Sequence, residues 1–110
     1  MSKTIKTIKT KTIQFHLEKP PPTSFKKWIA VFTYPDGSVI RTPFGDRRYQ
    51  DYTIHKDKER RERYRIRHAK DLDTHDFTRA GFLSYYILWG DSTSLQTNSE
   101  LFRKKFTKNV

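Results

Sequence analysis

From Arg60 to Arg67 the sequence reads Arg60-Arg61-Glu62-Arg63-Tyr64-Arg65-Ile66-Arg67, which places arginine at almost every other position. Each guanidinium is a planar fork that can bind a carboxylate or phosphate through two parallel hydrogen bonds, so the chemistry on offer is anion recognition. At 3.6 residues per turn the five arginines cannot share one helix face. Arg60, Arg63 and Arg67 fall together, whereas Arg61 and Arg65 fall on another face. Part of the series can therefore meet a partner while part pairs with Asp57 and Glu62; a merely solvated face is the plain alternative. Two further basic groups extend the candidate partner-binding set. They are Lys3, Lys6, Lys9 and Lys11 near the N-terminus, and Arg103, Lys104 and Lys105 near the C-terminus.

Other chemistry finds less support. His16, His55, His68 and His75, with Asp51, Asp57, Asp71, Asp73 and Asp76 nearby, raise a metal or acid–base hypothesis. No two of these histidines are spaced i,i+4, and no zincin or zinc-finger pattern occurs. Ser84 sits in Leu83-Ser84-Tyr85, inside an aromatic helix and without the flanking glycines of a nucleophile elbow. The four glycines are scattered singly, so no phosphate-cradling loop is present. Cysteine is absent, which excludes disulfides, cysteine zinc sites and a thiol nucleophile and is compatible with intracellular assembly. No catalytic residue, cofactor or metal is expected. Sequence-reading helix-turn-helix and zinc-finger patterns are not recognisable either.

The elements that must position the arginines can be read from periodicity. Ile13, Phe15 and Leu17 alternate with Gln14 and His16, the signature of a strand with one buried face, and Pro20-Pro21-Pro22 stops it. Trp28 to Tyr34 predicts a second strand, Pro35-Asp36-Gly37 a tight turn, and Ser38 to Thr42 the return strand. After a connector carrying Tyr49 and Tyr52, a charged helix is expected over 56–69, with Asp57/Arg61 and Glu59/Arg63 at favourable i,i+4 spacing. Asp73-Thr74-His75-Asp76 interrupts the pattern. A second helix over 78–89 carries Phe82, Tyr85, Tyr86 and Trp89, with Gly90 as its C-cap. Thr93-Ser94-Leu95-Gln96 fits a capping box opening a third helix over 94–107, with Leu95, Leu101, Phe102 and Phe106 as its apolar stripe.

These elements make an α+β fold: a small antiparallel sheet over 13–44, formed by an N-terminal strand and a hairpin, followed by three helices. Trp28, Val31, Phe32, Ile40, Phe44, Tyr64, Phe82, Tyr86, Trp89 and Phe106 are the expected core. Residues 13–107 form one domain, preceded by a flexible basic tail at 1–12 and followed by a short end at 108–110. The tail's Lys-Thr-Ile repeat matches neither helix nor strand period, so it is expected to be disordered in the free chain, with strand addition to a partner as the alternative.

Composition bounds the partners. Among 110 residues, 34% are hydrophobic and 32% charged, so the core must be small, and aromatics at 15% partly compensate. Net charge is +11, which implies attraction to nucleic acid, anionic membrane or acidic protein. Residues 45–76 carry ten basic against eight acidic side chains, so much of the excess lies at the two ends. No signal peptide is expected, since the N-terminus lacks an apolar stretch. The apolar run from Ala80 to Trp89 is about half of the ~20 residues a membrane-spanning helix needs.

Phe44-Gly45, Tyr49, Asp51-Tyr52-Thr53, His55-Lys56-Asp57, Arg60, Tyr64, Arg67-His68, Ala80-Gly81-Phe82, Ser84 and Ile87-Leu88-Trp89 together carry a resemblance. Over about residues 26–106 the chain resembles a family of small basic proteins of unknown function encoded by nucleocytoplasmic large DNA viruses, the giant algal and amoebal viruses. It departs from that family at Asp71-Leu72-Asp73-Thr74-His75, where an aromatic usually follows the acid, and at Ser84-Tyr85-Tyr86, where Ser-Arg-Trp is usual. The resemblance implies a viral origin more than a mechanism. Large virions need small proteins beneath the capsid shell, and a short basic domain with extended ends suits that job, so the leading expectation is a virion protein, assembled in the host cytoplasm and placed at the inner surface of the capsid as a minor capsid protein. Its expected partners are the major capsid protein and other minor capsid proteins, with room for peripheral contact to the inner viral membrane. Nucleic acid is the alternative partner, which would make the chain a non-sequence-specific DNA-binding protein.

Overall fold

The computed structural model describes residues 12–108. Three strands, β1 (Gln14–Glu18), β2 (Lys26–Thr33) and β3 (Val39–Asp46), form an antiparallel sheet in the order β1-β2-β3. Register places Phe15 opposite Phe32, and Trp28 opposite Phe44, so the aromatic residues of alternating positions share one face. The hairpin between β2 and β3 closes where Gly37, at φ +90, donates to the Tyr34 carbonyl and Tyr34 donates to the Ser38 carbonyl. β3 runs on through Pro43 to Asp46, past the expected end at Thr42. It is an edge strand, where a residue without an N–H is tolerated.

The helices cover the aromatic face. A short helix α1 (Tyr52–His55) precedes the charged helix α2 (Lys58–His68), which passes into a 3-10 stretch at Ala69–Thr74. Next come α3 (Ala80–Leu83), continued by a π-helical turn at Ser84–Leu88, and α4 (Leu95–Phe102), continued by another at Arg103–Thr107. Phe102 joins the layers: its ring lies 5.0 Å from Phe15 and 5.0 Å from Phe106, centre to centre. At the end of the last π turn the Thr107 carbonyl accepts from Ile13 N at 2.9 Å, fastening the C-terminal helix to the start of the sheet.

The α+β architecture agrees with expectation, while several details differ. Ile40 is not core: although opposite Phe32, it sits near the hairpin end and is 39% exposed. Val31 is buried but lies outside the main core cluster, and Leu83, Ile87, Leu88 and Phe102 belong in that cluster. Leu101 leaves the expected apolar stripe of α4 and faces outward. The N-cap of α4 is Ser94, whose side chain accepts from Thr97 N, one residue later than the predicted box. Gly90 is not a left-handed C-cap. A Cβ there would lie 2.1 Å from the Tyr86 carbonyl, so close approach, rather than positive φ, demands glycine.

Candidate functional site

Helix α2 contains no buried residue, so its own hydrophobicity cannot fix its position. Asp57 starts it by accepting from Glu59 N and Arg60 N, and this hydrogen bonding lowers the Asp57 pKa. With Asp57 spent as a cap, the expected Asp57/Arg61 pair does not form, and neither does Glu59/Arg63. Arg61 turns inward. Its Nε donates to the Gly90 carbonyl at 2.6 Å, while its other nitrogens meet Glu62 and Asp91. Arg65 donates to the Trp89 carbonyl at 2.8 Å and lies 4.1 Å over the Tyr85 ring. Between them Tyr64 is sandwiched, 4.2 Å from Trp89 and 4.1 Å from His68. Burial pushes the Tyr64 hydroxyl up to about 12.

This docking turns Arg60, Arg63 and Arg67 to the opposite face. Together they line a cleft of about 400 Å³, whose floor includes Tyr64, Leu88 and Trp89. Gly45, at φ +78, brings the end of β3 against this floor, where a Cβ would stand 2.8 Å from Leu88 Cδ1. The acids lining the cleft are already occupied. Asp51 accepts from Lys27 Nζ at 2.5 Å and caps α1 through Thr53 N and Thr53 Oγ1. Asp46 is held by Arg48, which pulls its carboxyl well below the usual range. By contrast, Arg60, Arg63 and Arg67 have no acidic partner within salt-bridge distance among the described residues. Three exposed guanidiniums therefore converge on a concave surface, an arrangement suited to a carboxylate-rich or phosphate-bearing partner.

The remaining predicted binding residues separate from this site. Arg103 is paired with Glu100 at 2.8 Å, and Lys104 and Lys105 line another groove beside Arg65. Lys3, Lys6, Lys9 and Lys11 lie outside the described residues. Lys27 and the exposed Tyr49 carry no site signal in the sequence, and Asp51 and His68 stand there only as metal or acid–base candidates, not as partners of the triad. Lys27 and Asp51 are 24 positions apart and meet only once the sheet and α1 are built, so no local signal could have paired them.

Most of the polar cleft comes from one stretch of chain, Lys27 to His68, with Ser84, Leu88 and Trp89 added from α3 and its end. Residues 19–68 match DUF5754, a family of unknown function. The DUF5754 segment thus supplies β2, β3, α1, α2 and the whole arginine triad, while the aromatic helix completing the floor lies beyond it. No curated protein and no solved structure matches the chain. Among the described residues, no helix is long and apolar enough to cross a membrane.

Proposed function

We propose that this chain is a small structural protein of a large DNA virus particle, a minor capsid protein that docks on acidic surfaces of its neighbours. The observation that carries the proposal is the unpaired triad Arg60, Arg63 and Arg67 around a concave cleft with a rigid aromatic floor. Each guanidinium offers a planar fork on a helix whose position is already fixed, and the overall charge of +11 favours encounter with acidic partners. A bridging role between capsid proteins suits a domain that offers binding chemistry on more than one surface. Its place at the inner capsid surface, its contact with other minor capsid proteins and its viral origin belong to this same proposal.

Quantitative mass spectrometry of purified virions tests it. Copies on the scale of the capsid subunits are expected, and absence or a handful of copies refutes it. One observation favours a second reading, in which the partner is duplex DNA. From Arg60 to Arg67 the triad forms a row about 10 Å long, enough to reach successive phosphates of a backbone. Log affinity should then fall with log salt at a slope of about −2.7 for three contacts. Charge reversal at Arg60, Arg63 and Arg67 should abolish that binding. Lack of a gel shift at low salt would end the DNA reading.

A further inference from the structure

Arg65 and the triad lie on opposite faces of α2, and beyond Arg65 a second groove of about 330 Å³ opens between α2, the π turn after α3 and the end of α4. Its floor offers little to a polar ligand. Asn98 is 1% exposed, and its amide is fully used: Oδ1 accepts from Ser92 N, while Nδ2 donates to the Ile87 and Ser92 carbonyls. What is left is ring and aliphatic surface from Tyr86, Phe102 and Leu101, the last of these 49% exposed. The volume is near the lower end of ligand pockets, about 300–1,000 Å³, so it suits one or two apolar side chains rather than a large molecule.

The rim is basic. Glu100 is held by Arg103, and Asp91 by Arg61, so Lys104 and Lys105 have no acidic partner within salt-bridge distance among the described residues. Lys105 Nζ stands 5.3 Å over the Tyr86 ring, at the border between apolar floor and charged edge. Both π turns contribute here: Tyr86 comes from Ser84–Leu88, and Lys104 and Lys105 come from Arg103–Thr107. Such turns recur at functional sites because the widened helix re-aims its side chains.

We infer that this groove docks an acidic protein segment by one apolar anchor side chain, with flanking carboxylates on Lys104 and Lys105. Arg65, Lys104 and Lys105 can meet phosphate or carboxylate alike, but a nucleic acid fits less well because it brings no apolar side chain to cover Tyr86, Leu101 and Phe102. The surface is separate from the triad cleft. Used together, the two would let one copy of the chain link two acidic partners, which extends the structural role proposed above without depending on it.

The test is fluorescence anisotropy on the full chain, using a short fluorescein-labelled peptide with a single phenylalanine among aspartates and glutamates. Replacing that phenylalanine by serine should weaken binding about tenfold or more, because the anchor's burial is lost. Leu101→Asp should do the same, as should Lys104→Glu combined with Lys105→Glu. Charge reversal at Arg60, Arg63 and Arg67 should remove any binding of the peptide's carboxylates at the triad cleft but leave its preference for phenylalanine over serine intact, which separates failure of this inference from failure of the triad reading. Circular dichroism checks that each variant folds; if Leu101→Asp does not, the two-peptide comparison on the unaltered chain decides. Equal binding of both peptides, no binding of either, or displacement of the peptide by duplex DNA would overturn the inference.

Discussion

Replacing Asn98 by alanine removes the amide that joins three backbone groups at the junction of α3 and α4. Ile87 O is buried with it, and Ser92 N and Ser92 O are partly so, at 3.0, 2.9 and 2.7 Å from the amide atoms. A buried polar group left unpaired costs about 1–3 kcal/mol, so Ile87 O at full cost and the Ser92 groups at part cost give roughly 3–4 kcal/mol. That is a large share of the roughly 5–15 kcal/mol that holds a domain of this size. With a urea m-value of about 1.5 kcal/mol/M the unfolding midpoint should fall by about 2–3 M, read from tryptophan fluorescence.

Asn98→Asp sharpens the test. It keeps an acceptor for Ser92 N but turns a carboxylate oxygen toward the Ile87 and Ser92 carbonyls in a site that is 1% exposed. Burial and the two carbonyls favour the neutral acid, raising the folded pKa above the unfolded value of about 3.9. The stabilising contribution of that proton is therefore present below about pH 4 and lost as pH rises through the folded value. A midpoint shift under about 0.5 M for Asn98→Ala, or an Asn98→Asp variant that gains stability relative to the parent between pH 4 and 7, would refute the reasoning.

Gly90→Ala would set a Cβ 2.1 Å from the Tyr86 carbonyl and 2.8 Å from Asn98 Cγ. Overpacking of about 2 kcal/mol should lower the melting temperature by about 10 °C, and a drop under about 2 °C would show that the segment yields freely. His55 accepts from Asp57 N through Nδ1, leaving Nε2 buried without a partner, and burial, with Arg60 adding to it, lowers its pKa. Its contribution is present above the unfolded value of about 6.5 and is lost as pH falls through the folded value. His55→Phe should flatten that acid limb of the stability curve; an unchanged slope sinks the assignment. Tyr64, raised to about 12 by burial, should contribute stability below about pH 10 that disappears as pH approaches about 12. Tyr64→Phe should remove that alkaline loss, and an absorbance titration in which all six tyrosines ionise near pH 10 in the folded protein would contradict it.

Local patterns were legible wherever one short segment decides its own conformation. Phe15 and the half-buried Leu17 of β1, with Ile13 just before it, do face the core, Pro35-Asp36-Gly37 does turn the hairpin, and the arginine series does divide into the two faces its spacing requires. Periodicity failed where helices change pitch. A π turn adds roughly one residue per turn, so residues after Leu83 and Phe102 drift from the faces that a 3.6-residue repeat assigns them. Competition between ends also escaped the sequence. Thr93 and Ser94 are both capping residues, and Asp57 could pair with Arg61 or cap α2; in each case an orphan backbone N–H at a helix start took the side chain. The Lys27–Asp51 contact was invisible for another reason, since it depends on two elements being packed before it exists.

The two arginine faces of α2 are mechanically linked. The aromatic helix ends at Trp89 and Gly90, whose carbonyls lie past the last turn and would otherwise want partners. Arg65 and Arg61 supply them, and positive charge is favourable at a helix C-terminus. By capping one helix, these side chains anchor another that has no buried residue of its own, while Tyr64 and Trp89 stack at 6° to lock the rotation of α2. Fixing that rotation is what aims Arg60, Arg63 and Arg67 at the cleft and leaves Arg65 beside the second groove. The alternation of arginines is thus a division of labour: one set satisfies the carbonyls that hold the helix in place, and the other stays unpaired because the first has fixed where it points.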